Sequence, residues 1–260
     1  MVLPVKIIGF AAQDLLGATE TVQVLGRTSQ AVFLEAEGEV IWVSTADLRH
    51  GRALLSPSLP TWPEGLTLSV RGKMLVASDH KALQWEEAVV WSPPITPQPP
   101  ADLEFRARHL ARVFRPLLDQ VHQTLGGTRL RRVLGAIRSG DAHAFFAAAL
   151  DLVGVGPGLT PLGDDFLGGV LFALRASKQY QFSREWSKDE LAGRTSSLSL
   201  CLLLDLNREH GPEPLHSFTT ALFLGTLEEA EDRARRLLQL GNTTGSGLFC
   251  GALCAWLALC

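Results

Sequence analysis

The sequence predicts an α+β fold in two parts, a β-rich N-terminal domain over residues 1–91 (antiparallel, barrel-like or a sandwich) and a mainly α-helical C-terminal domain over residues 102–260. Three observations carry this prediction. Short runs of β-branched residues fill the stretch up to Trp91; five prolines crowd into residues 92–100; and beyond them the apolar spacing changes from about two residues to about 3.6.

Taken in order, residues 5–10, 21–25, 31–36, 40–44, 66–70, 73–78 and 83–91 read as strands. Turn chemistry separates several of them, notably Glu37-Gly38-Glu39 and Arg71-Gly72-Lys73, the latter suited to a tight hairpin. Residues 92–101 form the linker, because prolines remove N–H donors and favour an extended polyproline path. Leu103, Ala107, Leu110, Ala111, Phe114, Leu117, Leu118 and Val121 then recur at helical spacing, with Arg106, Arg108, Arg112 and Arg115 between them. Further helices are expected over 130–138, 142–152, 164–177, 197–209, 214–224, 227–240 and 245–259. Thr226-Leu227-Glu228-Glu229 has the form of a capping box, and Ser139-Gly140-Asp141 marks another helix start.

Composition excludes several classes of function. At 260 residues and 46% apolar content the chain can bury a substantial core, and its net charge of −3 argues against nonspecific nucleic-acid binding. The first twenty residues do not pair a basic start with an unbroken apolar core, since Gln13 and Asp14 interrupt it, so a cytoplasmic protein is expected. The longest apolar run, residues 248–260, is short of the roughly 20 residues needed to cross a bilayer and reads as a buried helix. Cys250 and Cys254 lie four apart within it and read as small hydrophobes rather than zinc ligands. The seven histidines form no metal-site spacing, and no G-x-S-x-G elbow accompanies them. The runs Arg129-Leu130-Arg131-Arg132 and Arg233-Ala234-Arg235-Arg236 read as solvated helix faces.

The strongest functional signal is Gly154-Val155-Gly156-Pro157-Gly158-Leu159-Thr160-Pro161-Leu162-Gly163-Asp164-Asp165-Phe166-Leu167-Gly168-Gly169, a heavily specified loop running into an apolar helix. No Lys follows the last loop glycine and no βαβ unit surrounds it, so it is neither a Walker A loop nor a dinucleotide fingerprint. A loop-to-helix junction of this kind favours an anion or a polarised carbonyl at the helix N-terminus, whereas the bland alternative has Asp164 or Asp165 merely capping the helix. A second segment, Gly241-Asn242-Thr243-Thr244-Gly245-Ser246-Gly247-Leu248, opens the last helix. Residues 163–169 and 245–251 share the order glycine, two residues, two bulky apolar residues, one small residue, glycine. Two such helices are expected to cross closely with their N-termini converging.

Together these two segments resemble the domain-of-unknown-function family that contains the AllH subunit of bacterial oxamate carbamoyltransferase. The resemblance covers most of the chain and implies a subunit of a multi-subunit enzyme that converts oxalurate and phosphate to oxamate and carbamoyl phosphate, or the reverse. It implies a small anionic substrate (phosphate, carboxylate or carbamoyl compound) and other subunits as partners, while the net charge and the short apolar runs argue against nucleic acid and membrane. A noncatalytic subunit that binds a small anion or serves assembly, with a partner performing the chemistry, is the alternative.

Two aspartates at a helix N-terminus would cancel much of its favourable field, and three resolutions are open. One aspartate caps the helix; the pair holds Mg²⁺, which neutralises a phosphate; or a carboxylate accepts hydrogen bonds from a substrate NH₂ while backbone N–H groups bind its carbonyl. The third matches a carbamoyl group. Asp164 and Asp165 are therefore the candidate catalytic residues, with Gly156, Gly158, Thr160, Gly163, Asn242, Thr243, Thr244 and Gly245 as candidate substrate-binding residues. Arg194 and Ser196, in the hydroxyl-rich run Arg194-Thr195-Ser196-Ser197-Leu198-Ser199, complete the set, against the plainer reading that Ser196 or Ser197 caps a helix. No cofactor beyond Mg²⁺ is suggested.

Overall fold

The computed structural model describes residues 2–182, 184 and 186–260. The chain forms two compact units, one up to Pro93 and one from Pro94 to Cys260.

In the first unit the strands are β1 (Val2–Pro4), β2 (Ile7–Gly9), β3 (Thr21–Arg27), β4 (Ala31–Ala36), β5 (Glu39–Ser44), β6 (Ala53–Leu55), β7 (Thr67–Val70), β8 (Met74–Val76), β9 (Ala82–Gln84) and β10 (Val89–Trp91). They form one mixed sheet, a curled half-barrel, in the order β1-β9-β8-β7-β3-β4-β5-β6-β2-β10. Its hairpins are antiparallel. β4 and β5 pair in full register from Ala31↔Ser44 to Ala36↔Glu39, across a turn in which Glu37 and Gly38 both have positive φ. The β1/β9, β2/β10 and β5/β6 pairs are parallel, so the sheet is mixed rather than purely antiparallel.

The expected strand over 83–91 is two strands, and residues 2–9 pair with residues 82–91 in the same direction on both sides of the break. Val5 N–H donates to Gln84 O at 2.7 Å, and Val89 N–H to Lys6 O at 3.0 Å. Alternate residues of β3 and β4, namely Val22, Val24, Val32 and Leu34, enter a core with Ile8, Ile41, Val43, Leu68, Leu75 and Trp62. Phe10, expected to end a strand, instead begins α1 (Phe10–Ala18), whose Ala12 and Leu16 join that core one turn apart.

The second unit is helical: α2 (Leu103–Val113), α3 (Arg115–Leu125), α4 (Gly127–Ser139), α5 (Ala142–Ala149), α6 (Leu162–Ala176), α7 (Lys188–Leu191), α8 (Ser197–Leu206), α9 (Glu213–Leu224), α10 (Leu227–Leu237) and α11 (Thr244–Leu259). The continuous apolar spacing over 103–121 is broken into α2 and α3 at Phe114, because Pro116 has no N–H for the helical ladder. Both start signals act as expected. Thr226 and Glu229 form a reciprocal capping box on α10, and Asp141 accepts from Ala144 N–H at the head of α5. Each such cap stabilises by about 0.5–2 kcal/mol.

α6 is the central helix, buried at every position except Arg175, and α11 packs along it. The contact is glycine-lined. A Cβ on Gly169 would stand 2.2 Å from Leu248 O, one on Gly247 2.4 Å from the Asp165 Cβ, and one on Gly251 1.9 Å from Phe166 O. Gly247 and Gly251 lie one turn apart on α11, so both backbones approach to a distance that no side chain would allow. Cys250 and Cys254 sit on α11 as small apolar groups; burial pushes both thiols up, Cys254 to about 12. Among the described residues, no helix is long and apolar enough to cross a membrane.

Candidate functional site

The loop 154–161 is held at its ends and open in its middle. At Gly154, φ is 76° and a Cβ would stand 2.0 Å from Arg194 O, so only glycine fits there. Gly156, Pro157, Gly158 and Leu159 are exposed, Thr160 is half-buried, and Pro161 precedes the first turn of α6. That turn spends its donors within the chain. Gly163 N–H donates to Val155 O at 2.8 Å, while Asp164 and Asp165 N–H both reach Pro161 O, at 2.9 and 3.1 Å. These three groups are therefore not the ligand-facing backbone donors that the motif suggested.

The two aspartates sit in different surroundings. Asp164 Oδ1 accepts from Gly154 N–H at 2.7 Å, and its Oδ2 accepts from the Ser199 hydroxyl at 2.7 Å and from the Thr195 hydroxyl. Asp164 thus ties the loop, the run before α8, and α8 itself to the start of α6. It is not the helix cap that the bland reading supposed, since that position belongs to Pro161.

Asp165 is 5% exposed, and its Oδ2 is buried without a hydrogen-bond partner. Its pKa is pushed up to about 8, first by burial and then by the charge of Asp164, while the hydroxyls of Thr244 and Thr160 offset part of the rise. A helix N-terminus acts the same way as those hydroxyls but is worth only about 0.3–1 kcal/mol, under one pKa unit, so burial wins. At neutral pH the group is a carboxylic acid, able to donate as well as accept.

The two motifs meet here. Thr160 Oγ1 and Thr244 Oγ1 are 2.9 Å apart, and Gly247 packs on Asp165, so the N-termini of α6 and α11 converge as their shared pattern predicts. Thr243 is half-buried beside them and Asn242 is exposed. Gly163 and Gly245 are packed on backbone, against Leu152 O and Leu237 O. Ser196 caps α8 by accepting from Ser199 N–H at 3.1 Å, and its own hydroxyl donates to Leu159 O at 2.6 Å. Arg194 is exposed, and the contact to the loop is made by its carbonyl. In the same hydroxyl-rich run it is Thr195 and Ser199, rather than Arg194 and Ser196, whose side chains bind Asp164.

The donor set does not fit Mg²⁺. Both Asp164 oxygens already accept from N–H or O–H groups, and among the described residues no cluster of three or more His, Cys, Asp or Glu stands together. The cavities described in this unit lie elsewhere. One of about 410 Å³ is bounded by Glu213, Ser217, Thr220 and Arg233, and another of about 580 Å³ by Gly126, Thr128, Arg132 and Asp151. The polar groups that converge where the two helices begin are the Thr160 and Thr244 hydroxyls and the Asp165 acid.

Residues 152–256, which contain both motifs, match the family model of the oxamate carbamoyltransferase subunit AllH. Over this span the chain is AllH-like, as the sequence resemblance implies. No curated protein and no solved structure matches.

Proposed function

We propose that this chain, AllH-like over residues 152–256, is a cytoplasmic subunit of a carbamoyltransferase complex acting on oxalurate, phosphate, oxamate and carbamoyl phosphate or close relatives of them. The observation that carries the reading is the convergence of the two matched motifs at Thr160 and Thr244, whose hydroxyls act on the Asp165 carboxyl. In the phosphorolytic direction a phosphate oxygen attacks the carbamoyl carbon of oxalurate. The bond from that carbon to the oxamate nitrogen breaks, and the proton of hydrogen phosphate ends on the leaving nitrogen. Hydroxyls and a neutral acid suit such a ligand, because they donate to its oxygens without adding negative charge.

The engagement of both Asp164 oxygens favours a second reading, in which this subunit binds the small anion or serves assembly and a partner subunit performs the chemistry. The test is phosphate-dependent release of oxamate from oxalurate by the full chain with its co-purified subunits. Release is expected, with loss on Asp165→Ala while the complex still assembles. No release under these conditions sinks the carbamoyltransferase reading, and unchanged release by Asp165→Ala decides for the second.

A further inference from the structure

The buried, unpartnered Oδ2 of Asp165 remains unexplained by the fold. Buried polar atoms are nearly always hydrogen-bonded, and one left alone is costly unless a ligand completes it. The neighbouring aspartate cannot be the ligand group, since its oxygens are filled by Gly154 N–H and the Ser199 and Thr195 hydroxyls. Around Asp165 the loop supplies the Thr160 hydroxyl and α11 supplies the Thr244 hydroxyl and the bare backbone of Gly247. α8 supplies Ser199, whose hydroxyl is donated to Asp164. The charged group set against Asp165 among the described residues is Asp164.

Building on the carbamoyltransferase reading, we infer that Asp165 is the proton-carrying binding residue of this site, donating from Oδ2 to an anionic oxygen of a small carboxylate ligand, and that Asp164 is a positioning residue which holds the loop over it. A second ionised carboxylate beside Asp164 would repel such a ligand; a neutral acid flanked by two hydroxyls receives it. Binding therefore requires the proton, and is lost as pH rises past the point where Asp165 ionises.

Calorimetric titration of the full chain with oxamate, in EDTA between pH 6 and 9, tests this. The affinity is expected to be flat below about pH 8 and to fall by about tenfold per pH unit above it. Asp165→Asn, which keeps a donor but cannot ionise, should bind without the pH step, whereas Asp165→Ala should bind at least about tenfold more weakly. A pH-independent wild type, an Asp165→Asn variant as weak as Asp165→Ala, or binding abolished by EDTA overturns the assignment while leaving the carbamoyltransferase reading in place. If neither oxamate, oxalurate nor phosphate binds the wild type at any pH, both fall together.

Discussion

At the scale of single residues, adjacent aspartates have opposite consequences for stability. Asp164→Ala would strand one backbone N–H and two hydroxyls in a half-buried setting, and should cost about 3 kcal/mol in denaturant unfolding. Asp165 works the other way. Its pKa is about 8 folded against 3.8 as the ordinary value, so between about pH 4 and pH 8 the native state holds a proton that the unfolded chain has lost. The favourable contribution is complete below about pH 4, declines by about 1.4 kcal/mol per pH unit, and is gone above about pH 8. Asp165→Asn should therefore remove that slope and be the more stable protein at pH 8, by up to about 5 kcal/mol in denaturant unfolding. Equal stability of the two proteins across this range would contradict the raised pKa. Nothing in the dipeptide Asp164-Asp165 distinguishes the pair. Their roles separate only because Gly154 on one side, and Thr195 and Ser199 some thirty residues on, all fold onto the first.

Among elements, the glycine pattern at 163–169 and 245–251 made the crossing of α6 and α11 readable in advance, since small residues at that spacing are what close helix packing needs. The prediction at this scale is paired. Gly251→Ala would drive a methyl into Phe166 O and should destabilise by about 1–3 kcal/mol or more, with loss of the Thr160 to Thr244 contact. Gly135→Ala, in the interior of α4 with nothing near its Cβ position, should instead stabilise by about 0.5–1 kcal/mol. Thermal melts of the two variants, run together, check both signs. Other elements were less legible. α1 was hidden because Ala12 and Leu16 give only one helical repeat, and β6 because three residues are too few to show a period. The break at Phe114 was legible in principle, through Pro116, but the continuous apolar spacing outweighed it.

For the molecule as a whole, the change of period across the Pro-rich segment announced a β-rich part followed by a helical one. It gave no hint that three strand pairs would be parallel, because side-chain alternation is the same in either direction. Each unit has its own core, so limited proteolysis is expected to cut first within residues 92–101 and to leave a helical fragment from about Pro94 that keeps its circular dichroism. Early cleavage inside α6 or α11 would argue otherwise. The parallel pairing of residues 2–9 with residues 82–91 also sets a clock. On a ribosome working at about 5–20 residues per second, the first strands wait roughly 4–15 seconds for their partners to be synthesised. Once β6 has been made, β2 has that neighbour but still lacks β10, and its open edge is what a chaperone or a second nascent chain would meet.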